Sequence, residues 1–468
     1  MTKETKLIKN TAIIAVGNIC TKCISFFMLP LYTALLTTEE YGTVDLLTTY
    51  SALCVIVLTL QFEQGVFRCL IDARSDEERQ KRYISTSVFV VAALNIAVAA
   101  VIAIVLSAFK YQYTVYFVCL VLFNVLNGLL IQIPRGLGNN TVYTVASCLN
   151  GSINVILNVL FIAVLKLGVN GMLSANILAY IISTIYVVIK VDLPKYVSVK
   201  WFDKHELSEL VKYSFPLIPN TMCWWIINAS DRTVINFFLN TAANGIYAAA
   251  YKFPSLFSTI SNIFQLAWTE SVSENVNDTD RDSYYRTMLD KSIRFYSSCN
   301  IGIIAIMPFL FSILINEKFG DAYYYIPILM TAALMHSVAA LYGSIYFAFK
   351  ETKKVADTTV VSAVINLVVN VALIKIIGLY AAAISSLLAY VVVVIIRYVD
   401  LNKRIEIKIS KAYLIVECLV YVLVFFAYYN RVRVLQVIIF VLLVPYCIFQ
   451  NREFLLGTLK LVKKKVGK

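Results

Sequence analysis

The sequence predicts an all-α integral membrane protein of about fourteen transmembrane helices, arranged as two parallel six-helix repeats followed by two extra C-terminal helices. Three observations predict this fold. Long apolar blocks fill a chain with little charge, its basic residues fall almost wholly on alternate loops, and it matches itself at offsets of 203 to 212 positions.

Of the 468 residues 60% are apolar and 15% charged, against roughly a quarter charged in soluble domains, which excludes a soluble fold. The apolar blocks run to about 18–27 residues, enough for a helix to cross a hydrocarbon core of roughly 30 Å and far longer than barrel strands. Inside lipid each block must satisfy its own backbone groups, so each is read as a helix. The first span, near 11–36, follows Lys3, Lys6 and Lys9; it is too long for a signal-peptide core and lacks a small-residue cleavage site, so it is expected to stay as an anchor. The next five lie near 43–67, 84–109, 113–133, 142–165 and 169–189. Spans 7 to 12 lie near 213–239, 245–271, 293–315, 323–349, 356–377 and 379–396, and the last two near 412–429 and 434–449.

Counted by alternate loops and tails, 32 of the 41 Lys and Arg fall on one side of the membrane. The other side holds six: Lys110, Lys166, Lys318, Lys375, Arg431 and Arg433. The positive-inside rule then places both termini in the cytoplasm. The net charge of +13 is explained by basic cytoplasmic flanks against anionic lipid, with no nucleic-acid partner needed. The ten cysteines are scattered through apolar blocks, and the Cys20–Cys23 spacing sits mid-membrane without the βαβ setting of a redox pair, so no metal site is expected.

At an offset of 203, Leu7, Lys9 and Thr11 fall on Leu210, Lys212 and Ser214, and Gly42 falls on Gly245. Further on, Ile153, Asn154 and Asn158 meet Ile365, Asn366 and Asn370, while Gly168 and Leu178–Tyr180 meet Gly378 and Leu388–Tyr390. Six spans return the chain to its starting side, so the repeats are parallel and related by an axis along the membrane normal. The expected organisation is an N-lobe at 1–192, a linker at 193–212, a C-lobe at 213–400 and a final pair of spans with a basic tail at 401–468. In the linker Asp203, with Glu206 three residues on, marks a helix start in an amphipathic segment suited to the cytoplasmic surface.

These features carry a resemblance. The stretch Tyr213-Ser-Phe-Pro-Leu-Ile-Pro219-Asn220 running to Asn228-Ala-Ser-Asp231-Arg232, then Gly245-Ile-Tyr-Ala-Ala-Ala-Tyr251-Lys252, resembles the multidrug, oligosaccharidyl-lipid and polysaccharide (MOP) exporter superfamily, in particular its O-antigen and capsule repeat-unit flippases. Pro30-Leu-Tyr32 and Glu40-Tyr41-Gly42 are similar to the family's N-terminal signature. The resemblance covers roughly residues 5–400 and implies MATE-like lobes in a bacterial inner or plasma membrane. It also implies alternating access that moves an undecaprenyl-diphosphate-linked oligosaccharide repeat unit to the outer leaflet for O-antigen, capsule or exopolysaccharide synthesis. Polysaccharide polymerase and glycosyltransferases are the protein partners it implies.

A charge within the bilayer is expensive and is read first as functional. Lys22 lies near the middle of span 1, on one helix face with Thr11, Asn18 and Ser25. Span 8 carries Lys252, Ser255, Thr259 and Asn262 on one face; span 7 has Asn220, Asn228 and Asp231 beside Arg232; span 2 has Asp45, Thr48, Thr59 and Glu63. These stripes are expected to line one wet cavity, with Lys22, Arg232 and Lys252 contacting phosphate. Packing is the alternative: Lys22 held by one carboxylate, and Arg232 and Lys252 by outer-leaflet snorkelling or by pairing with Asp231.

No phosphate-binding Gly-rich loop occurs, which points to Na+ or H+ coupling with no cofactor. Asp231, Asn366 and Asn370, with Ser385 or Ser386, offer oxygen ligands suited to sodium. In the resembled lipid II flippases a sodium site lies between corresponding helices, whereas the same Asn pair at Asn154 and Asn158 in the first repeat favours helix packing. A multidrug exporter or a lipid II flippase of the same superfamily is the alternative function. An enzyme is not expected, because His336 in span 10 has no catalytic partner and His205 lies in the linker.

Overall fold

The computed structural model describes residues 26–407 and 410–452. Lys22, Asn18 and Ser25 therefore lie outside the described residues, as does most of span 1. Within them the chain is helical, and eleven helices are long and apolar enough to cross a membrane.

The order is α1 (Leu29–Leu35), α2 (Thr38–Leu58), α3 (Phe62–Asp72), α4 (Glu77–Ala108), α5 (Thr114–Leu130), α6 (Gln132–Gly136), α7 (Asn140–Asn158), α8 (Gly168–Val191) and α9 (Leu193–Tyr196). It continues with α10 (Lys204–Ser214), α11 (Leu217–Phe238), α12 (Thr241–Glu274), α13 (Arg281–Leu314), α14 (Ala322–Ala348), α15 (Thr352–Ile377), α16 (Tyr380–Ile405), α17 (Lys411–Asn430) and α18 (Arg433–Gln450). Two long helices, α11 and α12, fall outside the eleven; they carry the polar stripes of spans 7 and 8.

The residues form two compact units. The first runs to Asn236 and takes in Asn240–Gly245; the second holds Phe237–Leu239 and everything from Ile246. In the first, α7 packs on α8, α5 on α8 and α4 on α5; in the second, α15 packs on α16, α14 on α16 and α13 on α14. These are the same pairings displaced by one repeat. The bond that joins the paired helices also recurs. Asn154 Nδ2 donates to Asn176 Oδ1 at 2.7 Å in the first unit. Asn366 Nδ2 donates to Ser386 Oγ at 3.1 Å in the second. Offsets of 212 and 210 relate the two pairs, so a polar contact that lipid cannot replace holds equivalent helices together in both repeats.

In the first unit α10 starts at Asp203, whose carboxylate accepts from the His205 amide at 2.7 Å. The helix docks on α3 and α4. Arg79 reaches both Glu206 and Glu209, at 3.4 and 2.9 Å, and Arg82 reaches Asp203 at 3.2 Å. The Tyr83 hydroxyl, and after it Arg79, hold the Glu209 carboxyl below its usual range. The ligand atoms of His205, Glu206 and Glu209 lie within 4.8 Å of one another, and Arg79 pairs with both acids, so the cluster docks the linker helix.

The second unit departs from the sequence reading at Arg397. Ending span 12 at 396 put Arg397 in a cytoplasmic loop, whereas α16 runs on to Ile405 and buries Arg397 to 3% exposure. Its guanidinium donates to the Ala339 carbonyl at 2.7 Å and to Thr358 Oγ1 at 2.8 Å, joining α14, α15 and α16. Gly343 makes the room, since a Cβ there would stand 3.0 Å from the Arg397 Nη1. Arg397→Leu removes these charge-assisted bonds and should cost about 2 kcal/mol or more. Thermal unfolding of the purified protein checks this, and an unchanged midpoint would contradict it.

Candidate functional site

The site is built around the start of α2. Thr37 and Glu40 form a reciprocal cap there, with Glu40 N to Thr37 Oγ1 at 3.1 Å and Thr37 N to Glu40 Oε2 at 2.8 Å. One turn on, Gly42 meets the start of α12. A Cβ on Gly42 would stand 2.0 Å from the Thr241 carbonyl oxygen, and one on Gly245 would stand 1.9 Å from that of Thr38. Thr38 and Thr241, like Gly42 and Gly245, are related by the 203-residue offset. The contact is therefore reciprocal, with repeat-equivalent backbones touching where only glycine fits.

Polar bonds seal this junction. Asn244 Nδ2 donates to the Gly42 carbonyl at 3.0 Å and lies 3.4 Å from Asp45 Oδ2. Arg232 Nε donates to the same Asp45 oxygen at 2.7 Å, with both side chains largely buried. Pairing with Asp231 is one packing alternative expected for Arg232; its guanidinium forms an ion pair with Asp45. Asp231 is itself 2% exposed. A phosphate engaging Arg232 would have to compete with Asp45.

Span 2 is broken, which the sequence reading missed. Between α2 and α3, Leu60 and Gln61 take φ of +50° and +57°, a left-handed conformation that non-glycine residues seldom adopt. With no Gly or Pro at the break, hydropathy reads through it as one helix. Gln61 Oε1 accepts from Thr221 Oγ1 at 3.1 Å, and the Gln61 amide donates to Thr59 Oγ1 at 3.2 Å. Glu63 falls in the first turn of α3, where the helix dipole favours a carboxylate. Its Oε2 is buried with no hydrogen-bond partner among the described residues. Discontinuous helices with ionisable residues at the break are a recurrent way to build transporter sites.

The remaining candidates are distributed as follows. Asn228 falls on α11 in the first unit. Lys252 and Ser255 are half-buried on α12 in the second unit, with Ser255 Oγ donating to the Lys252 carbonyl at 2.8 Å, and Asn262 on the same helix is exposed. Asn366 and Asn370 are wholly buried on α15. Asn366 Nδ2 donates to Ser385 and Ser386 Oγ, at 3.4 and 3.1 Å, which joins α15 to α16. Asp231 belongs to the first unit and the asparagines to the second. His336 meets Tyr390 edge-on with ring centres 5.0 Å apart, a packing contact.

Comparison with known proteins places this arrangement. The fold is shared with solved membrane transporters. A multidrug resistance MATE family transporter in its inward-facing conformation superposes with a TM-score of 0.67 at 15% identity, over 84% of this chain and 98% of that one. The lipid II flippase MurJ in an inward closed conformation superposes with a TM-score of 0.69 at 12% identity, over 95% and 100%. The family profile described as polysaccharide biosynthesis protein matches residues 7–269, more than half of the chain, and the chain belongs to that family. A probable low-salt glycan biosynthesis flippase of Haloferax volcanii is 23% identical over 202 residues, 42% of this chain. The match spans 43% of that relative's length.

Proposed function

We propose that this chain is a flippase that carries an undecaprenyl-diphosphate-linked oligosaccharide repeat unit from the cytoplasmic to the outer leaflet of a bacterial plasma membrane. Both termini lie in the cytoplasm and transport proceeds by alternating access. The observation that carries the proposal is the family match across residues 7–269, which takes in both repeat-equivalent helices of the Gly42–Gly245 junction. A glycan flippase among its relatives and a lipid II flippase among its fold neighbours support the same reading.

The intramembrane charges agree with an anionic passenger. Lys22, Lys252 and Arg232 are the candidate cations for the diphosphate, Arg232 being held by Asp45. Asn18, Ser25, Asn228, Ser255 and Asn262 offer the sugars hydrogen bonds. A drug exporter would need an acid for a cationic drug; Asp45 is committed to Arg232 and Asn244, which leaves Glu63 as the acid such a drug would use. The product would pass to a polysaccharide polymerase, and glycosyltransferases would supply the substrate.

Cells lacking the chain should accumulate lipid-linked repeat units that an externally added glycosidase cannot reach. Repeat units that stay accessible in such cells would refute the proposal. For energy, we propose an ion gradient, with Asp231, Asn366 and Asn370 each as a candidate for sensing it. Asp231→Asn should then remove the sodium dependence of transport, while damage indifferent to sodium would assign Asp231 a packing role.

A further inference from the structure

On the side of the second unit that the charge asymmetry assigns to the outside lies a cavity of about 620 Å³, walled in part by Asn316, Glu317, Tyr323, Arg431, Arg433 and Gln436. Two of the six basic residues that depart from the positive-inside pattern stand in this one place. Its floor is rigid. Tyr323 and Tyr428 stack with ring centres 4.1 Å apart. Each hydroxyl donates to the other residue's carbonyl, at 3.0 and 2.8 Å, and the Tyr429 hydroxyl donates to the Tyr324 carbonyl at 2.8 Å. These bonds tie the end of α17 to the start of α14.

The chain then turns through Arg431 with φ of +54°, a conformation that costs a non-glycine residue energy. That turn holds its guanidinium 4.8 Å from the ring centres of both Tyr323 and Tyr324. Arg433 opens α18, 5.8 Å from the Phe309 ring, and donates to the Pro308 carbonyl at 3.1 Å. Among the described residues neither arginine forms an ion pair with a carboxylate. The start of α18 has no side-chain cap, so its dipole adds positive potential. Stacking covers the faces of a guanidinium and leaves its in-plane N–H groups for an oxyanion. A volume of this size holds far more than one phosphate. Interface anchoring alone would explain the aromatic contacts, but not two arginines that form no ion pair among the described residues, around a cavity whose single acid is Glu317.

We propose that this cavity binds the phosphate of a lipid headgroup in the outer leaflet, with Arg431 and Arg433 as its ligands. It rests on the flippase reading for sidedness and for the choice of an isoprenoid diphosphate, the flipped product, over bulk phospholipid. Binding itself is independent of transport. Native mass spectrometry of the purified full chain, titrated separately with undecaprenyl diphosphate, phosphatidylglycerol and inorganic phosphate, tests the proposal. Arg431→Gln/Arg433→Gln should lose about tenfold or more in affinity for the lipid phosphates, as expected for two charge-assisted contacts. Arg433→Gln alone leaves the stacked Arg431 in place and should lose part of that, and Arg431→Lys/Arg433→Lys should recover part. Preference for the diphosphate marks a product site, and equal binding of phosphatidylglycerol marks a general headgroup site that survives failure of the flippase reading. Unchanged lipid binding in both Gln variants, or binding of inorganic phosphate without either lipid, would overturn it.

Discussion

Gly245→Val should abolish transport while leaving the chain inserted in the membrane. A Cβ at Gly245 would lie 1.9 Å from the Thr38 carbonyl oxygen and 3.0 Å from the Gly42 amide nitrogen, both backbone atoms. A flexible side chain could swing aside; backbone cannot without moving the start of α2. Both glycines belong to the first unit, so the valine would destabilise the closed state in which the two backbones touch. Gly42→Val meets Thr241 in the same way and should give the same phenotype, because the contact is reciprocal. Loss of at least about a hundredfold in rate is expected if the closed state is destabilised by some 3 kcal/mol. Cysteine accessibility near residues 240–244 should rise in both variants. Normal transport by either would show that the contact is dispensable.

The second large effect is expected at Lys22. A lysine near the centre of a span costs about 3 kcal/mol or more to insert, so its charge is read first as functional. Lys22→Ala should abolish transport with insertion intact, and Lys22→Arg should keep part of the activity because the cation remains. Transport measured on membranes matched for protein level distinguishes these outcomes. Normal transport by Lys22→Ala would make the lysine a packing element.

The helices were legible because hydropathy and length are local properties of the chain. From span 3 to span 14 each expected span has a helix over most of its length. The break at Leu60–Gln61 was hidden because its residues carry no turn signal; the contact from Thr221 supports it from outside the local sequence, beside the local bond to Thr59. The Asp45–Arg232 pair joins positions 187 apart, and no periodicity reports such a distance. The Gly42–Gly245 match was visible as a repeat, yet that the two glycines touch each other follows only from folding. Arg397 was misplaced by a charge rule that treats every arginine at a span's end as solvated, whereas backbone carbonyls and Thr358 solvate this one internally.

The most direct test of the central claim is leaflet transfer by the purified chain in proteoliposomes that carry an undecaprenyl-diphosphate-linked oligosaccharide, read by the fraction an external glycosidase cleaves over time. The predicted result is transfer that requires the protein and is lost in Lys22→Ala and Gly245→Val. Vesicles in which the wild-type chain leaves the inner-leaflet glycan protected, yet drives the efflux of a cationic dye, would contradict it.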